Sequence, residues 1–389
     1  MARDVAIVGV GMTKFGEHWD KGLRELIMEA GIKSVEDAGI SGKDIELIIG
    51  GSMSSGIFAG QDHTGALFTD YLGLNPIPSI RTEAACASSS VALSTGIMAV
   101  QSGRYNCVVI GGVEKMTDVY GNMATTTLAG AMDRDNEANF GLTFPGVYAL
   151  MAKRHMHQYG TTREQIAMVA VKNHENAMHN PNAQFHRKIT VDDVLKSPLV
   201  SDPLRLLDCS PIADGASSLV IVPAEKAKQY TDTPIYIRAS SQASDTLGLY
   251  RRPDITTVNA NVVASRNAYK QAGMTPNDIH FAEVHDCFTI NEIIATEDLG
   301  FVKKGDGGRF VQSGETQLGG KIPVNTSGGL KAKGHPVGAT GVAQVIEAVE
   351  QLRGNAGGRQ VSGAENGLTH NVGGSGSTVV VHILSRNRK

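Results

Sequence analysis

The sequence has few cysteines, almost no net charge and no long apolar run. Four cysteines occur among 389 residues and none belongs to a Cys-x-x-Cys pair, so zinc-ribbon and iron–sulfur sites are not indicated. Lys and Arg number 36 against 39 Asp and Glu, a net charge of -3, which argues against a nucleic-acid or anionic-membrane partner. No apolar run approaches the ~20 residues of a membrane span, and no signal peptide precedes the first predicted strand. We therefore expect a cytoplasmic protein.

Glycine, by contrast, is abundant, with 45 residues, while aromatic residues make up only 5% of the chain. The glycines follow no period of three, so a collagen-like chain is excluded and tight turns between strands and helices are indicated. Two segments, 38–45 and 272–279, share the frame Ala-Gly-x-x-x-x-Asp-Ile. Each follows a helix-like pattern and precedes a predicted strand, which indicates an internal repeat.

The repeat continues beyond this frame. Gly111 aligns with Gly363 after a small-residue helix and a predicted strand, and Asp214 aligns with Gly373 before an apolar run. The offset between matched positions is 252 residues for Gly111 and Gly363 but only 159 residues for Asp214 and Gly373. The first half therefore carries extra sequence, and we predict an insertion near residues 116–207.

Alternating strands and helices in two related copies predict an α/β fold with buried, mostly parallel sheets. The two halves are expected to pack through their central helices in a layered, pseudo-twofold arrangement. The predicted domains are an N-terminal half (1–115 plus 208–228), an inserted domain (116–207) and a C-terminal half (229–389). A single irregular domain is the alternative.

Two weaker patterns receive ordinary structural interpretations. Val8–Gly11 resembles the start of a dinucleotide fingerprint, but Lys14 occupies the place of its third glycine, so a tight turn is the better interpretation. The insertion is rich in histidine, but the spacings do not suit a helical metal site, and solvated polar positions are predicted for His155, His157, His174, His179 and His186.

Three segments carry residues suited to covalent chemistry. Cys86 lies among small residues just before an apolar-periodic helix, where unpaired N–H groups stabilise a thiolate; the alternative is a buried structural cysteine. His335 lies in a Gly-Pro-rich turn that the repeat places near the equivalent of Cys86, so a base and a nucleophile face each other if the halves pack symmetrically. A turn histidine is the alternative. His285–Phe288 follows a predicted strand, where open α/β sheets build their sites.

Together these motifs resemble the thiolase family over essentially the whole chain. The resemblance implies the thiolase fold, with two halves in a layered α-β-α-β-α arrangement and an inserted loop domain. The resemblance is closest to thiolases of the sterol-carrier-protein branch and to archaeal acetyl-CoA acetyltransferases. It rests on EAACASSS around Cys86, CSPIADGASSLVIV from Cys209, EVHDCF around Cys287, NTSGGLKAKGHPVGATG around His335 and HNVGGSG from His370. Two departures from other thiolases stand out. His285–Phe288 replaces Asn-Glu-Ala-Phe, and Asn371-Val372-Gly373 lacks the cysteine of the late Cys-x-Gly motif.

The resemblance implies a role for each matched residue. Cys86 is expected to be acylated, and His335 to take its proton and help polarise the thioester oxygen. Cys287 is expected to move the α-proton of the second acyl-CoA, since the late cysteine is missing. His285 is expected to hold a water or the enolate oxygen, and the backbone N–H groups of Cys86 and Gly373 to form the other oxyanion hole.

The activity implied is acetyl-CoA C-acetyltransferase, the condensation of two acetyl-CoA into acetoacetyl-CoA that begins mevalonate synthesis. The alternatives are a degradative 3-oxoacyl-CoA thiolase and, from another class, a non-catalytic acyl-CoA-binding or scaffold protein. CoA is expected on the insertion, with Gln184, Arg187 and Arg205 as candidate contacts. No cofactor and no metal are expected. The family also implies a homodimer or homotetramer, and a complex with HMG-CoA synthase bridged by a small zinc-ribbon/OB-fold protein.

Overall fold

The computed structural model of the chain describes residues 3–388. In chain order the strands are β1 (Val5–Met12), β2 (Leu47–Gly51), β3 (Ser79–Thr82), β4 (Val108–Glu114), β5 (Leu199–Ser201), β6 (Leu204–Arg205), β7 (Gly215–Pro223), β8 (Ile235–Ser244), β9 (Phe281–Val284), β10 (Asn366–Gly373) and β11 (Thr378–Ser385). The α-helices are α1 (Leu23–Asp37), α2 (Ser55–Phe58), α3 (Thr64–Asp70), α4 (Ser88–Gln101), α5 (Gly121–Ala129), α6 (Phe144–Tyr159), α7 (Arg163–Ala177), α8 (Val191–Lys196), α9 (Asn259–Ala272), α10 (Thr289–Asp298), α11 (Gly307–Gln312) and α12 (Thr340–Arg353).

Nine strands within residues 3–388 form one mixed sheet in the order β3-β2-β4-β7-β1-β8-β11-β10-β9. The two halves of the chain fill opposite ends of this sheet and meet where Val5–Ile7 pairs antiparallel with Ile235–Ile237. The order is symmetric about this junction, because β1, β7, β4 and β2 correspond to β8, β11, β10 and β9. Ala282 of β9 also bridges to Val324, at the place that β3 occupies in the first half. The topology therefore repeats as the sequence predicted.

The prediction of mostly parallel sheets was wrong. β2 pairs parallel with β3 and β4, and β9 pairs parallel with β10. The remaining ladders of the large sheet, β1–β7, β4–β7, β1–β8, β8–β11 and β10–β11, are antiparallel. β10 and β11 are joined by a short turn, and so tight a connection permits only antiparallel pairing. β7 occupies the matching position in the first half and runs in the matching direction.

The two central helices, α4 and α12, pack against each other and against strands from both ends of the sheet. Leu93 and Ile97 of α4 share one buried core with Val345 of α12, Ile110 of β4 and Phe281 of β9. On the outer faces, α1 covers β1 and β7, and α9 covers β8 and β11. The two halves of the sheet thus lie on either side of the central helices as two β layers, and the predicted α-β-α-β-α layering is confirmed. Its central layer brings the N-terminal ends of α4 and α12 together.

One detail of the repeat alignment was wrong. β10 begins at Asn366, so Gly363, the predicted equivalent of Gly111 in β4, lies in the turn before the strand. The second half has a longer connection at this point. α12 is terminated by Gly354, whose φ of +81° is left-handed, and a further helical turn at Gly357–Arg359 precedes β10. Aligning Gly363 with Gly111 therefore matched a turn residue of the second half to a strand residue of the first.

The insertion packs against the C-terminal half. Its helix α7 contacts α10 and the π-helical turn Gly329–Lys333, and Asn173 of α7 donates a hydrogen bond to Asp286 at 2.7 Å. The segment after β9 is thus supported from the insertion. The domain boundaries stay predictions. Within residues 3–388, none of the helices combines the length and hydrophobicity that crossing a membrane requires.

Candidate active site

Cys86 lies in the tight turn between β3 and α4. Ala85 has a φ of +51°, a left-handed conformation that costs a non-glycine residue ~1–3 kcal/mol. Two side chains hold the turn in this shape. The Ala85 N–H donates to Glu83 Oε1 at 2.6 Å, and the Ser88 hydroxyl donates to the Ala85 carbonyl at 2.6 Å. These bonds fix the direction in which the Cys86 side chain leaves the turn.

The Cys86 sulfur is a thiol in the resting protein. Burial raises its pKa to about 12, although the backbone N–H groups of Gly374 and of Cys86 itself point at the sulfur and oppose the rise. Loss of hydration outweighs the local N–H groups at rest, and these groups are left to stabilise the thiolate once the proton has been removed. A base has to remove the proton when the sulfur attacks.

His335 is placed to be that base. Its Nδ1 lies 2.7 Å from the Thr340 hydroxyl, which itself donates to the Pro336 carbonyl at 3.0 Å. Because the hydroxyl hydrogen is already used, the His335 Nδ1–H must donate to Thr340, and the lone pair is left on Nε2. Burial lowers the pKa of His335 to about 3, so the ring is neutral and ready to accept a proton.

His285 follows β9 and meets His335 edge to face, with ring centroids 5.1 Å apart and planes at 83°. Burial lowers the pKa of His285 well below its usual value, and the charges that His335 and His370 would carry lower it further. The ring is therefore neutral too. One ring nitrogen from each histidine and the Cys86 sulfur all lie within 4.8 Å of one another. The structure thus brings together three residues that are far apart in the sequence.

Cys287 lies on the same cavity as this group. Burial raises its pKa well above the usual value, and a negative charge on Cys86 would raise it further. The Tyr148 hydroxyl hydrogen-bonds with its sulfur and donates to the Gly374 carbonyl at 3.2 Å. Tyr148 belongs to α6 of the insertion and stacks on Phe288 at 4.7 Å. Sequence reasoning missed Tyr148, because a single buried aromatic residue in a helix gives no chemical signal.

The cavity has a volume of about 170 Å³ and mainly apolar walls. Its polar floor carries Cys86, Cys287 and His335. The remaining lining residues come from the insertion, the segment before β7, the segment after β9 and the turns after Pro336 and β10: Met116, Thr125, Leu128, Phe144, Pro145, Cys209, Ser210, Pro211, Ile212, Phe288, Val337 and Gly374. A small apolar pocket with few polar groups at one end is typical of a site for a short acyl group.

The backbone N–H that reaches the Cys86 sulfur belongs to Gly374. Gly373, the predicted oxyanion-hole residue, is the last residue of β10 and does not line the cavity. β10 continues its ladder through Gly373, opposite Thr378, and the role of the Gly373 N–H in the oxyanion hole stays a prediction.

The three candidate CoA contacts lie in different surroundings. The Gln184 side chain donates to the carbonyl of Ile212, which lines the cavity, at 3.3 Å. Arg187 is exposed, and its carbonyl, not its side chain, holds His174. The Arg205 guanidinium donates to the Ser197 carbonyl at 2.7 Å, within its own hairpin. Only Gln184 is therefore seen beside the cavity.

The histidines of the insertion do not share one environment. His155 and His174 are buried, which corrects the prediction of solvated positions, while His157, His179 and His186 are exposed. His155 hydrogen-bonds to Thr161 and Glu297. The Cys86–His285–His335 group also has metal-ligand spacing, and the expectation that it holds no metal stays a prediction.

A buried thiol, a neutral imidazole beside it and backbone donors at the same sulfur are the groups that covalent catalysis by a cysteine uses. Comparisons with known proteins agree. A family model for the thiolase N-terminal domain matches residues 5–225, and a thiolase C-terminal domain-like model matches residues 241–386. The chain belongs to the thiolase family, so the predicted family, fold and acyltransferase class are confirmed.

Individual relatives extend this result. The chain is 58% identical over 384 residues to acetyl-CoA acetyltransferase of Methanothermobacter thermautotrophicus, covering 99% of this chain and 100% of that protein. It is 36% identical over 392 residues to sterol carrier protein 2 of Bos taurus, covering 97% of this chain and 71% of that protein. Among solved structures, the Ltp2-ChsH2(DUF35) aldolase superposes with a TM-score of 0.87 at 27% identity, covering 100% of this chain and 99% of that one.

Proposed function

We propose that this chain is an acetyl-CoA C-acetyltransferase, which joins two acetyl-CoA molecules into acetoacetyl-CoA and releases free CoA. The observation that carries the proposal is the convergence of Cys86, His285 and His335 within 4.8 Å, beside a cavity that Cys86, Cys287 and His335 line. The relative at 58% identity that bears the name acetyl-CoA acetyltransferase supports it.

In the first half-reaction, Nε2 of His335 takes the Cys86 proton while the sulfur attacks the carbonyl carbon of acetyl-CoA. A bond forms between that carbon and Cys86, and the bond to the CoA sulfur breaks. The departing CoA thiolate takes a proton from Cys287, which burial keeps protonated at rest. The products are acetyl-Cys86, free CoA, a Cys287 thiolate and a protonated His335.

In the second half-reaction, the Cys287 thiolate removes an α-proton from a second acetyl-CoA. The enolate carbon attacks the carbonyl of acetyl-Cys86, a carbon–carbon bond forms, and the bond to the Cys86 sulfur breaks. Protonated His335 returns its proton to Cys86. All three groups then have the protonation they had at the start, so the cycle closes without a cofactor.

The α-proton of a thioester is weakly acidic, so the enolate oxygen needs strong hydrogen-bond donors. We assign that oxygen to Nε2 of His285 and of protonated His335. We assign the tetrahedral oxyanion at acetyl-Cys86 to the backbone N–H groups of Cys86 and Gly373, next to the Gly374 N–H that points at the sulfur. Two separate oxyanion holes allow one site to stabilise both transition states.

The test is acetylation of the protein itself. After incubation with acetyl-CoA, peptide mass spectrometry should find one acetyl group on Cys86, and assays should detect acetoacetyl-CoA. Cys86→Ala should lose both signals, while Cys107→Ala, which changes a buried thiol distant from the cavity lining, should keep them. An acetyl adduct that persists in Cys86→Ala would assign the nucleophile elsewhere.

The runner-up is a degradative 3-oxoacyl-CoA thiolase for longer chains. The cavity of about 170 Å³ favours a short acyl group over a long one. Cleavage and synthesis rates measured across acyl chain lengths separate the two activities. A non-catalytic acyl-CoA-binding protein is disfavoured by the clustering of Cys86, His285 and His335 beside a cavity that Cys287 also lines, and any turnover of acetyl-CoA excludes it.

We place CoA on the insertion with Gln184, Arg187 and Arg205 as contacts, Gln184 being the one beside the cavity rim. Gln184→Ala should raise the KM for acetyl-CoA without lowering kcat to the same degree. An unchanged KM in all three alanine variants would move the CoA site to other residues.

We further propose that the enzyme acts in the cytoplasm, as a homodimer or homotetramer, at the start of the mevalonate pathway. Condensation of two thioesters is unfavourable, so the product must be drawn off, and we propose a complex with HMG-CoA synthase through a small zinc-ribbon/OB-fold protein. The name of the structural relative Ltp2-ChsH2(DUF35) aldolase joins two components, which supports a second protein as a partner for this fold. Co-expression and pull-down test the complex, and light scattering tests the oligomer; an active monomer that captures neither partner would reject both.

A further inference from the structure

A chain of buried hydrogen bonds runs from the nucleophile's own helix to His285. It starts at Ser90 in α4, whose hydroxyl donates to Asn371 Oδ1 at 2.9 Å. The amide nitrogen of Asn371 then lies 3.1 Å from Nδ1 of His285. All three side chains are at most 1% exposed, so along this series of hydrogen bonds protein groups replace water as partners.

These hydrogen bonds determine which ring nitrogen of His285 carries the proton. Because the Ser90 hydroxyl donates to Oδ1, the other end of the amide, its NH₂ group, faces the ring and has to donate to Nδ1. A neutral imidazole that accepts at Nδ1 carries its hydrogen on Nε2. Within residues 3–388, Nε2 of His285 is a buried atom without a hydrogen-bond partner, and His285 belongs to the cluster with Cys86 and His335.

We propose that Asn371, oriented by Ser90, is a positioning residue that holds His285 as the Nε2–H tautomer and so makes the ring a hydrogen-bond donor to the substrate oxygen. The identity of that oxygen, the enolate of a second acyl-CoA, rests on the proposed function; the tautomer itself does not. Asn371 stands where the resemblance to other thiolases expects a cysteine, so this position supplies an orienting amide while the thiol comes from Cys287.

The packing around the pair leaves it little freedom. Gly341 of α12 covers it so closely that a Cβ there would lie 2.6 Å from Asn371 Oδ1 and closer still to Ser90 Oγ. The Asn371 backbone is held in the β10 ladder opposite Val380. α4, β10 and α12 therefore converge on the amide that orients the His285 ring.

The backbone of His285 is held separately by His370 in β10. Nε2 of His370 donates to Asn261 Oδ1 at 2.8 Å, and its Nδ1 accepts from the His285 N–H at 3.5 Å. The titratable groups that face the His285 ring are His335, His370 and Cys86. The adjacent Asp286 is turned away, towards the Leu330 N–H at 2.6 Å. A carboxylate at position 371 would therefore be the one acidic partner of the ring among the described residues.

Nitrogen NMR of ¹⁵N-histidine-labelled protein tests the tautomer directly, with His285→Ala to assign the signal. Wild type should show a protonated Nε2 and an unprotonated Nδ1. In Asn371→Asp, which keeps the shape but can only accept, the proton should move to Nδ1 at high pH, and both nitrogens should be protonated as the pH falls. Ser90→Ala removes the donor to Oδ1, so the Asn371 amide can rotate by half a turn, and His285 should show both tautomers. A wild-type His285 with its proton on Nδ1 would overturn the proposal.

Kinetics test the consequence. Above the pKa of His285 in Asn371→Asp, Nε2 has no hydrogen to donate, and condensation should fall ~10²–10³-fold, as on loss of an oxyanion-hole donor. Acetylation of Cys86 should stay near wild type. As the pH falls, the imidazolium restores Nε2–H, so the ratio of variant to wild-type condensation should rise. A ratio that is low but independent of pH would mean that Asn371 only supports the fold. Normal NMR signals without any thiolase activity would refute the proposed function and leave the tautomer assignment in place.

Discussion

Thr340→Val tests whether the hydroxyl that holds His335 makes it a base. The hydroxyl accepts the His335 Nδ1–H at 2.7 Å and donates to the Pro336 carbonyl at 3.0 Å. Valine has nearly the same shape but can do neither. In the variant, the neutral ring can move its hydrogen to Nε2, where it points into the cavity. That tautomer has no lone pair to take the Cys86 proton.

The expected loss follows from the energy of one unmade hydrogen bond. To react, the variant has to place the hydrogen back on Nδ1, buried and without an acceptor, which costs ~1–3 kcal/mol. Since 1.36 kcal/mol is tenfold in rate, acetylation of Cys86 should slow about 5- to 150-fold. Condensation should fall as well, because the same residue returns the proton to Cys86.

Rapid quenching of enzyme mixed with acetyl-CoA, followed by mass spectrometry of acetyl-Cys86, measures the acetylation rate. Thr340→Ser is the matched control, because it keeps the hydroxyl and should acetylate near the wild-type rate. Thermal unfolding of both variants separates a loss of stability from a loss of chemistry. A folded Thr340→Val protein that acetylates as fast as wild type would refute the assignment of His335 as the base held by this hydroxyl.

Three further variants probe the site and its support. Cys287→Ala should still be acetylated at Cys86, because CoA can depart as its thiolate and take a proton from solvent, but it should condense ~10²–10⁴-fold more slowly and lose α-hydrogen exchange with deuterated water; condensation close to wild type would place the base elsewhere. Gly341→Ala should lower the free energy of unfolding by ~1–3 kcal/mol in denaturant titrations through overpacking, and an unchanged midpoint would contradict the close contact with α4. Asp214→Ala should destabilise the fold by ~3–5 kcal/mol, because it leaves the buried N–H groups of Met116 and Thr117 without their acceptor and removes one of the two carboxylates on the Lys115 ammonium; a loss below ~1 kcal/mol would argue that water enters the site.

The sequence by itself determined the repeat, the fold family and the reactive residues. The Ala-Gly-x-x-x-x-Asp-Ile frame recurs because each half needs the same helix–turn–strand geometry before β2 and β9. Cys86 was recognisable because small residues surround it at a predicted helix start, and His335 because glycines and a proline shape its turn. These are local patterns, and short-range backbone preferences fix them. The mixed direction of the strands was not predictable in this way, because pairing joins segments distant in the chain.

Only the tertiary structure decided the chemistry of those residues. A helix start alone suggested a thiolate at Cys86, but burial between α4, the Gly374 turn and the insertion raises its pKa to about 12. The proton positions on His335 and His285 depend on Thr340 and Asn371, partners whose hydrogen bonds no sequence pattern announces. Tyr148 reaches Cys287 only because α6 folds across the C-terminal half. Protonation and tautomer follow from hydration and hydrogen-bond partners, and both are set by contacts between segments that the chain alone does not bring together.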